Sequence, residues 1–313
     1  MSASGRIVVF LAGLLAIFAA AVAVGSLVEP AETEDNGAHG RAHAVRNQDN
    51  RTERTMEAHT AQREMDAPAG LGISEGGYVL RISPAQLVRR EARELRFSIN
   101  DAGGLPVTNF DELHERRVHL IVVRRDGAQF RHLHPEMDDA GTWSVPVKFT
   151  EPGVYRAFAD FSVDGEQHTL ANHLFVSGGE FEAQPFPPPS PVYETNGYEV
   201  RLQADDPLAG EPTSLTFSVS RSGQAVHDLA PYLGAKGHLV ALREGDLAFL
   251  HVHPEEAEGE HGHGDVAGHG EGAGAEEIAF AANFPTPGHY RLYLQFKDQG
   301  VVQTAQFTVV VLR

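Results

Sequence analysis

Cysteine is absent from all 313 residues. Disulfides, thiolate zinc sites and the cysteine-containing ligand set of blue copper are thereby excluded, which leaves histidine, methionine and carboxylate as metal ligands. Positive charge is scarce: 25 Lys and Arg against 43 Asp and Glu give a net charge of −18. That balance disfavours nucleic acid and anionic membrane surfaces as partners and favours cations. HExxH, P-loop and Rossmann glycine patterns are also missing, so none of these catalytic motifs argues for an enzyme. After residue 28 no long 3.6-residue apolar period competes with strand signals,.

One long hydrophobic run is present. Arg6 precedes residues 7–28, an apolar stretch of 22 residues, long enough to cross a ~30 Å hydrocarbon core as a helix. Residues 1–28 read as a signal anchor, with the rest of the chain outside the cytoplasm and the protein a single-pass membrane protein. Ala21-Val22-Ala23 is an acceptable cleavage site, and cleavage would make the protein secreted. Residues 29–72 are polar, mixed in charge and poor in β-branched and aromatic residues; they read as a flexible tether, with scattered His39, His43 and His59,.

The remainder says one thing twice. His119-Leu120 and His132-Leu133-His134-Pro135-Glu136 recur as His238-Leu239 and His251-Val252-His253-Pro254-Glu255, at a constant offset of 119. Gly77-Tyr78 recurs as Gly197-Tyr198, and Leu95-Arg96-Phe97-Ser98 as Leu215-Thr216-Phe217-Ser218, at 120. Pro152-Gly153-Val154-Tyr155-Arg156 recurs as Pro287-Gly288-His289-Tyr290-Arg291 at 135. The jump in offset places an insertion in the second copy, within residues 255–277. A repeat of this length marks a duplicated domain.

Each copy reads as all β. In the first, alternating apolar runs at 78–82, 95–99, 118–123, 129–134, 143–149, 154–161 and 169–176 are separated by Gly, Pro and Asp,. Seven short strands in about 100 residues predict two tandem immunoglobulin-like β-sandwiches, 73–179 and 193–313, joined by a proline-rich linker at 180–192. Tyr155 and Tyr290, each following Pro-Gly at a strand start, are candidates for Greek-key corner tyrosines.

The histidines are the repeated chemistry. If Asp126-Gly127 is a two-residue hairpin turn, His119 lies opposite His134, and His132 is diagonal on the same face. Cβ separations of ~4.5–8 Å then let the three imidazoles reach one ion. His238, His251 and His253 repeat the arrangement around Gly245-Asp246. Ile121, Val123 and Phe130 share the histidine face in copy one, and Val240, Leu242 and Phe249 in copy two. The trios are therefore expected at the rim of each sandwich's own core, one ion to each. Copper(II) or zinc suits three imidazoles, Met137 offers copy one a soft ligand for copper(I), and binding should weaken as pH falls through ~6.5. The competing reading makes all six neutral packing residues, copied by duplication. His168 and His173 have no counterparts in copy two and read as surface residues. The insertion at 255–277, with His261, His263 and His269, eight acidic residues and no Lys or Arg, reads either as a weak metal-gathering tract or as a solubilising loop.

With the duplicated GHL…HVHP and PGxYR patterns in view, the chain resembles secreted bacterial proteins built from YtkA-like immunoglobulin-fold domains, over roughly 73–179 and 193–313. That likeness implies a β-sandwich fold and a metal-related role. It is similar in general design to copper-resistance sandwich proteins, without their terminal copper-binding motifs. Two functions are carried forward: an anchored extracytoplasmic metal-binding protein (copper first, zinc next) acting as buffer, chaperone or sensor ectodomain, and an adhesion or partner-binding module whose histidines only pack. The protein partner is not specified by the sequence.

Overall fold

Each of the seven alternating runs named for the first copy contributes a strand, because alternation gives each one face to bury and Gly or Asp lets the chain turn between them,. The structure, a computed structural model, describes residues 68–254 and 277–313, all within one compact unit, His59–Arg313. The anchor, the tether as far as residue 67, and residues 255–276 with His261, His263 and His269 lie outside the described residues. Among the described residues the protein is all β, and no helix is long and apolar enough to cross a membrane.

The first half contains β1 (Ser74–Glu75), β2 (Tyr78–Ser83), β3 (Gln86–Val88), β4 (Ala92–Asn100), β5 (Val118–Arg124), β6 (Arg131–Leu133), β7 (Glu136–Met137), β8 (Trp143–Lys148), β9 (Gly153–Val163) and β10 (Glu166–Ser177). The second contains β11 (Val192–Thr195), β12 (Tyr198–Ala204), β13 (Pro212–Arg221), β14 (Gln224–Ala225), β15 (Gly237–Arg243), β16 (Phe249–His251), β17 (His253–Pro254), β18 (Glu277–Asn283), β19 (Gly288–Asp298) and β20 (Val301–Val311). Sheets run β1-β2-β4-β8-β7 and β3-β10-β9-β5-β6 in the first half. In the second they run β11-β12-β13-β18-β17, with β14 beside β13, and β16-β15-β19-β20.

Each half encloses its own core. Leu95, Phe97, Leu120, Val122, Trp143 and Phe161 fill the first, and Leu215, Phe217, Leu239, Phe280, Leu294 and Phe307 the second. The tyrosines after Pro-Gly act as corners: Tyr155 Oη donates to Glu151 O at 2.8 Å, and Tyr290 Oη to Thr286 O at 3.0 Å,.

A third apolar cluster corrects the expectation for the histidine face. Ile121, Val123, Phe158, Ala171, Val240, Leu242, Phe249 and Tyr293 pack together. The face shared with the histidines thus belongs to neither sandwich core; it is where β5-β9-β10 of one half meets β15-β16-β19 of the other. Contacts across it are reciprocal. Phe130 stacks on Tyr293 with ring centres 4.1 Å apart, and Phe249, the repeat of Phe130, packs on Phe158, the repeat position of Tyr293, at 5.4 Å. Such exchange is the signature of a two-fold interface, here between two copies within one chain. It is reinforced by Tyr293 Oη donating to Gly127 O and by Arg125 Nη2 donating to Gly245 O at 3.1 Å.

The last residues assigned to the tether also join this interface. Phe249 N donates to Ala69 O at 2.9 Å, and Arg156 Nη2 donates to Gly70 O and Leu71 O at 2.7 and 2.6 Å. Gly70 has φ +71°, and a Cβ there would come within 2.8 Å of the Phe158 ring, so the thread passes between the halves only as glycine.

The hairpins keep the expected register by a different turn. Leu120 pairs Leu133 and Ile121 pairs His132; Val240 pairs His251. In the first hairpin Gly127 N donates to Arg124 O at 2.8 Å and Arg124 N to Ala128 O at 2.9 Å. The loop therefore has three residues, closed by Gly127 at φ 74°, and Gln129 at φ 57° takes up one more residue. In the second hairpin Arg243 N donates to Ala248 O at 3.0 Å, which closes a four-residue loop, and Asp246 pairs with Arg243.

Candidate metal centre

Strands β5 and β6 deliver His119 and His132 to one face, and the step out of β6 toward β7 delivers His134. One nitrogen from each of the three rings lies within 4.8 Å of the others. His119 Nδ1 and His132 Nε2 are 2.9 Å apart. Two nitrogens held by one ion at ~2.0–2.1 Å sit about 3 Å from each other, so the spacing suits a shared metal.

The outer ring nitrogens face oxygen. His119 Nε2 lies 3.0 Å from Leu113 O, and His132 Nδ1 lies 2.7 Å from Gln295 Oε1. When both N–H groups donate outward, the two inner nitrogens turn their lone pairs toward each other, which are the tautomers a metal needs and the usual bracing of histidine ligands. His134 Nε2 is buried with no hydrogen-bond partner among the described residues. An orphaned imidazole nitrogen in the same triad is a second observation that fits a cation.

The opposing half closes over the triad. His238 is braced as His119 is, its Nε2 2.8 Å from Tyr232 O, the repeat position of Leu113. Its ring centre is 6.4 Å from those of both His119 and His132, and 5.1 Å from that of His114. His114, His119, His132, His238 and Asp160 line one cavity of about 30 Å³, room for roughly one small occupant. Asp160 accepts from Thr169 Oγ1 at 2.9 Å.

Two expectations change. The trios do not stand at separate rims, since His119 and His238 are buried, 5% and 9% exposed, in one shared interface. Met137 packs on the first core from β7, which pairs with β8 in the opposite sheet. Of the second trio, His238 is placed and the side chains of His251 and His253 lie outside the described residues. The backbone of His251 remains opposite Val240, whereas that of His253 pairs with Ala281 in the other sheet. His173 is half-buried, its Nε2 without a hydrogen-bond partner among the described residues, and His168 packs on Tyr78 and Phe161; neither is a plain surface residue. Sequence reasoning missed His114, whose repeat partner is Leu233. It also missed Gln295 and Asp160, which occupy the same register position opposite His238 and His119 but are chemically different.

Burial favours the neutral form of His132, His134 and His238. It lowers His132 well below the usual range, helped by neighbouring His119 and His134, and pushes His134 down to about 4, with His119 and Arg116 adding to the effect. Burial likewise lowers His238 to about 4, against its bond to Tyr232 O. Proton competition with a metal therefore sets in nearer pH 4 than the ~6.5 of an ordinary imidazole. Folding stability follows with a definite sign. An unfolded histidine binds a proton below ~6.5 while the folded one resists until about 4, so the metal-free protein loses stability as pH falls through that window. His238 alone accounts for roughly 3 kcal/mol of loss by pH 4. Denaturant titrations of metal-free protein at pH 7.5, 5.5 and 4.5 should show the decline; a flat profile would mean that these rings protonate freely.

The chain belongs to the family described as a domain of unknown function, DUF8832, whose model matches it twice, at residues 73–178 and 193–312. The YtkA-like likeness rests on the motifs alone. No curated protein matches. Among solved structures, the Escherichia coli adhesin FdeC is 12% identical with a TM-score of 0.25, over 77% of this chain and 65% of that one. The Yersinia pseudotuberculosis adhesin InvE is 12% identical with a TM-score of 0.23, over 75% and 59%, and the Lin-41 filamin domain is 14% identical with a TM-score of 0.24, over 36% and 100%. The chain thus spans less than two thirds of either adhesin structure.

Proposed function

We propose that this protein binds one transition-metal ion, copper(II) or zinc, through His119, His132 and His134, as an anchored extracytoplasmic buffer, chaperone or sensor ectodomain built from two immunoglobulin-like sandwiches. The observation that carries the reading is the pair of inner nitrogens 2.9 Å apart, each with its outer nitrogen capped by an oxygen. An ion there would supply a Lewis-acidic centre; the chain's own residues supply neutral lone pairs, fixed tautomers and a dry interface. The apolar run at 7–28 supports the anchor, and export would put the site where metal ions arrive from outside. Calorimetric titration of the folded protein with copper(II) and with zinc should give one tight equivalent per chain. No tight equivalent with either metal would overturn the reading.

A second reading has its own observation. If the Gln295 amide turns over, Leu113 O, His119, His132 and Gln295 form an unbroken neutral hydrogen-bond chain across the interface. The histidines would then fasten the two halves to each other and the outer surface would serve a partner, as an adhesion module does. The same titration separates the two readings.

A further inference from the structure

The three ligands belong to the first half, yet one of them is oriented by the second. Gln295 projects from β19, is 8% exposed, and has its Nε2 3.3 Å from Thr304 Oγ1 on the neighbouring β20. Anchored from behind in its own half, it reaches across the interface to His132 Nδ1. Its amide has two faces. Presenting Oε1, it holds the proton on Nδ1 and leaves the Nε2 lone pair aimed at His119 Nδ1; presenting the NH2 group, it favours the opposite tautomer, in which His132 Nε2–H donates to His119 and no ligand pair exists.

We propose that Gln295 is the positioning residue through which the second half sets the metal affinity of the first, so that ion binding and docking of the two halves are one linked equilibrium. This rests on the metal reading above. The equivalent position of the first half holds a carboxylate: Asp160, opposite His119 in register as Gln295 is opposite His238, is buried and braced by Thr169, the repeat of Thr304. A carboxylate cannot present an N–H, so it enforces the metal-ready tautomer that an amide merely permits.

The test compares Gln295→Leu and Gln295→Glu with the parent by competition of copper(II) and zinc against a chelator, in the full chain. Removing the acceptor should weaken binding by ~10–100-fold, the usual loss for the outer partner of a histidine ligand. The glutamate variant should bind at least as tightly as the parent. Hydrogen exchange along β19 should slow on metal addition in the parent and the glutamate variant but not in the leucine variant, a response that a merely structural glutamine would not give. If both variants weaken binding alike, or neither does, while the parent holds its equivalent, the inference fails and the site stands. If the parent binds nothing, the metal reading itself has failed. Should the leucine variant not fold, the sign of the glutamate variant's change decides.

Discussion

Replacing His132 and His134 together by glutamine is expected to abolish the tight equivalent of copper or zinc and to leave the metal-free fold nearly unchanged. In the proposed site both rings are ligands, and one remaining imidazole would hold an ion too weakly to register as a tight site. A side-chain amide at position 132 can still bond to Gln295, and His134 Nε2 has no hydrogen bond to lose among the described residues. If the histidines only pack, the outcome reverses. Metal stoichiometry then stays as it was, and the metal-free protein loses ~1–3 kcal/mol because a glutamine at 132 does not bridge His119 and Gln295 at once as the imidazole does,. Titration and chemical denaturation of that one variant oppose the two readings directly.

Phe158→Ala should be the most destabilising single change outside the two sandwich cores. Phe158 is fully buried between the halves, packed on Phe249 and roofing the thread at Gly70. Deleting a buried phenyl costs about 3–5 kcal/mol when the surroundings cannot collapse, and here rigid sheets stand on both sides. The loss should fall on docking, because Phe158 belongs to the inter-half cluster and to neither sandwich core. Thermal unfolding is expected to separate into two steps, with each half retaining its own transition. A loss below ~1 kcal/mol in a single cooperative step would show that the halves hold together by other means.

Much of this was legible in the sequence, and the part that was not has a common cause. Strand positions and hairpin register followed from period-two alternation and from the repeat, and the register survived although the first turn takes three residues and Gln129 absorbs one more. The face was misread because alternation presumes solvent on one side. Every residue from Val118 to Arg124 is buried, since β5 has one face on its own core and the other on the opposite half, and a strand covered on both faces reads as a near-continuous apolar run. Val118, Leu120, Ile121, Val122 and Val123 carried that signal, and β15 repeats it. The outer residues of the site were hidden by the same comparison that exposed its ligands. A repeat draws attention to what is identical in both copies, whereas His114 against Leu233 and Gln295 against Asp160 are where the copies diverge. Divergence at a two-fold interface would allow one complete site to form from two related halves.

The central claim, that three imidazoles of the first half share one ion, is tested most directly by X-ray absorption at the metal edge of the chain loaded with one equivalent of copper(II) or zinc. The account predicts a first shell of nitrogen at ~2.0–2.1 Å with the multiple scattering of three imidazole rings. A shell of oxygen alone, or one with fewer than two imidazoles, would contradict it.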